Sequence, residues 1–237
     1  MNVTPEAANF VPVVVPAGIA FEVHAGKRRL SVKPGIPLQL PGQALAGAIC
    51  EEWQAAGPQA RMADLRLARL AIAAVEAAAA RANIEAALLA YVHTDLVCYW
   101  SAEDAPLALR VRQATAWQPM LNWANQAFGV RLRVTHGIVP AQQDETTVAR
   151  IGHVIAATSP AELIALRLAG AAAGSLIIGL GLLRGAWGVD EAYAASTVDE
   201  AYQMERWGTD AEAEVSLAAR RTDLGDAVRF LKLCNAA

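Results

Sequence analysis

The sequence predicts an α+β protein: a small N-terminal antiparallel β domain followed by a larger, all-helical domain. Three observations carry this. The first forty residues are rich in Val and Pro and alternate over short runs, as half-buried strands do. Beyond Pro41-Gly42 the apolar period becomes helical, with Leu45, Ile49 and Trp53 on one face. Alanine, the best helix former, dominates the apolar residues. The expected division is 1–60 for the β-rich domain and 61–237 for the helical one.

Phe10 to Val15 reads as a strand. Ala20 to His24 and Lys27 to Val32 flank Ala25-Gly26, a turn whose glycine tolerates positive φ. Phe21, Val23, Leu30 and Val32 then form the apolar face, with Lys27 and Arg29 on the wet side. Gly57-Pro58 ends the first helix. Leu65 to Trp100 is expected to be largely helical. Pro106 to Phe128 is another helix, stopped at Gly129, with a kink expected near Gln118 because Pro119 lies inside it. Val130 to Thr135 alternates like a strand, and 130–135 could return to the N-terminal sheet. Ser159-Pro160 starts a helix with an N-cap and a proline at its first position. Asp190 can cap a helix running to Trp207, with Gly208 as its stop. Thr209 and Glu212 have capping-box spacing for a last helix through Leu233.

The chain has 237 residues, 55% of them hydrophobic and 18% charged, which describes a folded chain able to bury a core. A net charge of -3 argues against nucleic-acid binding, which needs a basic surface. Cys50, Cys98 and Cys234 are odd in number and widely spaced, so neither a disulfide framework nor a zinc site is suggested. They read as thiols in a reducing compartment. Met1 to Phe10 lacks signal- or transit-peptide character. A cytoplasmic bacterial protein is the expectation. Leu168 to Leu183 carries no charge, but 16 residues span about 24 Å as a helix, short of a bilayer core of about 30 Å. A buried helix is expected there, without stable membrane insertion.

His93, Asp95 and Cys98 invite a catalytic or metal reading. Their spacing does not share a helical face, so the structural alternative has Asp95 capping a turn and Cys98 buried. Gly170, Gly174 and Ser175 lack the lysine and preceding strand of a phosphate loop. Close helix approach explains them better. His24, His136 and His153 stand alone, and no metal or nucleotide cofactor is expected.

The segment from Asp199 to Gly208 says most. Glu200, Gln203, Met204 and Trp207 form one stripe at helical spacing, with Tyr202 in the same block. A core stripe would not carry Glu and Gln, and a solvated stripe would not carry Met and Trp. Such mixtures suit protein interfaces. The alternative is a core Trp207 beside a solvated Glu200. Trp53 is similarly ambiguous, with core packing as the default.

Several segments, in order, resemble the assembly chaperones of the ATP synthase alpha subunit known from mitochondria and alpha-proteobacteria. They are LPGQALAGAICEEWQAAG, YVHTDLVCYW, RQATAWQPMLNWANQAFGVRLRVTHGI, SLIIGLGLLRG and DEAYQMERWGTDAEAE. The resemblance runs from about residue 20 to residue 230, and His93 and Gly42 depart from the family pattern. It implies a non-enzymatic chaperone for the F-type ATPase catalytic head. Such a protein binds the free alpha subunit and shields its beta-facing surface until beta displaces it, acting as a monomer without cofactor. Eukaryotic relatives work in the mitochondrial matrix. The family's important acidic residue is placed at Glu200, with Glu205 as competitor; Tyr202, Gln203, Trp207 and Gly208 match the same block, and Trp53 matches a family tryptophan. The rival reading is an enzyme using the Asp95 and Cys98 region.

Overall fold

A computed structural model describes residues 10–137, 139 and 142–236. Two compact units result: residues up to 79 with those from 229 onward, and residues 80–228. The first opens with β1 (Pro12–Ala17), which pairs antiparallel with β2 (Ala20–Ala25). β2 pairs with β3 (Arg28–Arg29) around Gly26, whose φ of 61° is why glycine stands in that turn. β4 (Ser31–Lys33) and β5 (Ile36–Pro37) form a second small ladder. Phe21 exchanges backbone hydrogen bonds with Leu40, and Leu30 donates to the Val23 carbonyl. The odd residues of β2 therefore face away from β1. The outer edge of β1 then presents Pro12, Val14 and Pro16, two of which lack an N–H, so this edge cannot template a further strand.

Helix α1 (Gln43–Ala56) packs on β1 and β2. It buries Leu45, Ile49 and Trp53, the face expected from their spacing. Glu52 reaches from its other side to accept from the Leu67 and Ala68 amides, capping α2 (Arg66–Ala90) from outside. This cap draws the start of α2 into the first unit. The division lies at 79–80, where the sequence predicts 60–61, and no loop chemistry marks it because it falls inside a helix.

Helix α2 stops at Ala90, and 3-10 turns carry the chain to β6 (Tyr99–Trp100), so the long helix expected to Trp100 is shorter. Asp95 caps the second of these turns, its carboxylate accepting from the Val97 amide, and so offers the backbone there an alternative to helix. Helix α3 (Leu107–Phe128) runs through Pro119 as a single element and ends at Gly129 in the left-handed conformation. Residues 130–134 then form no strand. The pairing comes later, where β7 (Thr135–His136) lies parallel to β6. Of the strand expected at 130–135 only Thr135 is paired, in the second unit's own ladder and not in the N-terminal sheet.

Helix α4 (Glu145–Ala156) precedes α5 (Pro160–Ala173), which starts with the expected Ser159–Glu162 capping box. Gly174 and Ser175 break the uncharged run, and α6 (Leu176–Leu183) packs back against α5. One buried helix was expected; there are two, both buried. Among the described residues no helix is long and apolar enough to cross a membrane. α7 (Val189–Ser196) and α8 (Val198–Trp207) replace the single helix expected from Asp190. The hydroxyls of Ser196 and Thr197 both donate to the Tyr193 carbonyl, ending the first helix there. α9 (Ala211–Asn235) is capped by Asp210, one residue beyond the expected Thr209.

The close helix approach expected from the glycines occurs between Gly170 and Gly179. A Cβ on Gly179 would lie 3.0 Å from the Gly170 nitrogen and 3.3 Å from its Cα. Backbone cannot yield as a side chain does, so Gly179→Ala should destabilise the protein by about 1–3 kcal/mol. Denaturant unfolding checks this, and an unchanged midpoint would show that α5 and α6 separate at little cost.

Candidate functional site

Helix α8 presents different chemistry on different faces. Glu200, Gln203, Met204 and Trp207 line one cleft of about 280 Å³, completed by Leu217 and Arg220 of α9. Gly208, with φ 86°, turns the chain between the two helices. Glu200 accepts from Arg220 at 2.7 Å, and both side chains keep more than a third of their surface exposed. Trp207 is 75% exposed, so its indole is not core. An exposed indole and a half-buried thioether beside an ion pair is an arrangement that folding alone does not favour.

Tyr202 departs from this group. It is buried, its hydroxyl accepts from Arg206, and the Arg112 and Arg206 guanidiniums lie 5.4 and 5.5 Å from its ring. Its position two residues from Glu200 turns it to another face of the helix. Glu205, the competing carboxylate, is bidentate with Arg112 at 2.8 and 2.7 Å and holds its pKa below the usual range through those bonds. Neither arginine partner was legible in sequence, because nothing local links α8 to α3 or α9. Val198 and Ala201 line a larger, more apolar groove of about 620 Å³ with Met120, Trp123 and Trp187.

Asp95 and Cys98 make no reactive pair. The Asp95 carboxylate is wholly buried at the start of α6. It accepts from the Ser175 hydroxyl at 2.5 Å and the Ile177 amide at 3.1 Å, while the Ser175 hydroxyl accepts from the Ile178 amide. Burial raises its pKa to about 6 against those stabilising bonds. Cys98 is buried, and desolvation, then the nearby Asp95, push its thiol up and away from thiolate formation. Trp53 is 1% exposed, packs edge-on to Phe10 and lies beneath Arg28, a core residue. Among the described residues no group of three His, Cys, Asp or Glu side chains could hold a metal ion.

A model of the ATP12 chaperone protein family matches residues 8–125. The crystal structure of Atp12 from Paracoccus denitrificans is 36% identical with a TM-score of 0.86, covering 94% of this chain and 96% of that one. The chain belongs to the ATP12 chaperone family. An aspartate-to-lysine variant of Paracoccus denitrificans Atp12p matches at the same identity and TM-score, covering 94% and 95% of the two chains. The Atu1473 protein of Agrobacterium tumefaciens is 27% identical, with a TM-score of 0.86 over 94% and 84%. The family resemblance expected from the sequence motifs holds, and membership makes this a chaperone of ATP synthase assembly. The α8–α9 cleft lies beyond the residues that the family model matches, but within a fold shared over most of the chain.

The Asp95 site predicts a pH dependence. A carboxyl whose folded pKa is raised costs stability above that pKa, and the cost fades as pH falls toward its unfolded value near 4. Stability should therefore rise, through this group, as pH falls from 7 to 5. Asp95→Asn should remove that part of the slope. Thermal melts of both proteins at pH 7 and 5 measure it, and equal slopes would contradict the assignment.

Proposed function

We propose that the protein holds the free alpha subunit of the F-type ATPase head through the α8–α9 face, without catalysing a reaction. Trp207 carries this reading: a 75% exposed tryptophan beside Met204, Gln203 and the Glu200–Arg220 pair. Aromatic and Met residues supply binding energy at interfaces, and a rim charge supplies orientation and specificity. A cleft of this modest size suits a complex that must later be undone, when beta takes the surface being shielded. An unassembled subunit exposes apolar interface, which drives aggregation. Covering it at one-to-one ratio needs neither cofactor nor nucleotide. Cytoplasmic action, as a monomer, fits this role.

The rival reading, an enzyme at Asp95 and Cys98, has nothing to favour it. Both groups are buried, and the carboxylate's bonds all go to structural donors.

The test is light scattering of warmed, purified alpha subunit with an equimolar amount of this protein and no ATP. Suppressed aggregation with a one-to-one complex by sizing is expected. Trp207→Ala should weaken binding by about tenfold or more. Glu200→Lys should also weaken it, while costing at most about 1 kcal/mol of stability as an exposed pair. Full protection by both variants would remove the α8–α9 face from the interface. A wild-type protein that neither binds nor protects would remove the alpha subunit as client.

A further inference from the structure

The chain following α3 offers an unfilled strand position. Gln143, 7% exposed, brackets Arg133: its side-chain oxygen accepts from the Arg133 N–H at 2.7 Å, and its amide donates to the Arg133 carbonyl at 2.9 Å. One residue's N–H and C=O point the same way only where the backbone is extended. Two residues on, Thr135 begins the ladder with β6, and Gly137 donates to the Trp100 carbonyl. Residues 133, 135 and 137 thus occupy one edge. Leu132, Val134 and His136 turn their backbone groups to the opposite edge, where no hydrogen bond reaches them among the described residues. The preceding residue of the same parity shows what such an edge takes up: the Val130 carbonyl accepts from the Asn125 side chain.

Two of the three, Leu132 and Val134, line a cleft of about 390 Å³ with the face of α3 carrying Gln118, Asn122, Asn125 and Gln126. Primary amides donate and accept at once, as a peptide backbone does. Three free backbone positions at a two-residue repeat, about 6.8 Å apart, match an extended peptide and no compact small molecule. Leu132 and Val134 are half-buried, leaving apolar surface for alternate side chains of such a peptide, and Arg131 is exposed at the rim. The β1 edge, by contrast, is closed by two prolines.

We propose that an extended polypeptide segment, apolar and acidic in alternation, adds as a strand beside Leu132–His136 in the amide-lined cleft. Its main chain pairs with the outward groups of Leu132 and Val134, which supplies affinity, while its alternate side chains meet Leu132, Val134 and Arg131, which supplies preference. This is a second contact for an incompletely folded client, separate from the α8–α9 face, and rests on the chaperone family alone.

The probe is carboxymethylated α-lactalbumin, an acidic protein that cannot fold. Hydrogen exchange on the intact chain reads the amides of Leu132, Val134 and His136 with and without it. Fast exchange in the free protein and at least tenfold slowing with the probe are expected. Amides already protected in the free protein, or unchanged at a saturating probe concentration, would overturn the proposal. Val134→Pro removes one outward N–H and leaves the Gln143 clamp in place. It should raise the probe's Kd about fivefold, the worth of one main-chain bond, with the melting temperature and alpha-subunit binding through α8–α9 retained. An unchanged Kd would overturn the proposal. If that variant melts early, the exchange experiment on the wild-type chain decides alone. Loss of alpha-subunit protection in the earlier test would leave this site standing, so the two readings fail separately.

Discussion

The second unit depends on a carboxylate placed where water cannot reach it. Asp95 sits in the loop that ends α2, yet its oxygens face the first turn of α6. Three orphan amides and a hydroxyl need acceptors there, and an apolar helix such as Leu176–Leu183 has none of its own beyond Ser175. A negative charge at a helix N-terminus gains from the dipole, and hydrogen bonds to a charged acceptor are the strong kind. Desolvation still wins, since the carboxyl stays above its ordinary pKa. Removing the side chain would leave those buried donors without acceptors, which costs more than the bonds themselves contribute. The same loop adds a bond from the Leu96 amide to the Gly174 carbonyl. Thus the end of one helix and the start of another, eighty positions apart in sequence, are fastened by one acidic residue.

Much of this fold was legible because local chemistry and tertiary demand agree. The Ser159-Pro160-Glu162 signal starts α5, glycines in left-handed conformation end α3 and α5, and the Leu45–Ile49–Trp53 spacing faces the core. The failures lie where a distant group overrides local preference. Val130 to Val134 alternates correctly for a strand, but the Gln143 side chain takes the partner's place at Arg133 and the Asn125 side chain takes the Val130 carbonyl. The break at Thr197 depends on two hydroxyls choosing the Tyr193 carbonyl, and such a choice has no period to reveal it. Glu52 capping α2 across 15 residues is invisible for the same reason.

The candidate face divides likewise. Spacing placed Glu200, Gln203, Met204 and Trp207 together, and the cleft unites them. Block membership added Tyr202, which lies buried on another side of the helix with two guanidiniums near its ring. The contrast separates two meanings of a motif. Residues at helical spacing share a surface, while residues that are merely adjacent share a fold. Arg112 and Arg220 could not be found from α8 at all, yet they pair with its two glutamates.

A chaperone of this kind faces opposing requirements at its own surface. It must not associate with copies of itself, and it must offer enough unsatisfied surface to hold a client. The edges of β1 and β7 show both answers. Pro12 and Pro16 remove donors from the outer edge of β1, and Cys50 takes the Pro12 carbonyl, so little is left there for another strand to pair with. Beside β7 no hydrogen bond reaches the outward groups among the described residues, but that run is only a few residues long and lines a cleft with α3. A short, recessed edge cannot seed an extended ladder between copies, while a single flexible segment can still reach it. Exposed Trp207 follows the same logic on α8, where one indole beside an ion pair is too small a patch to drive self-association. Two small, chemically distinct candidate surfaces would together favour a client large enough to touch both.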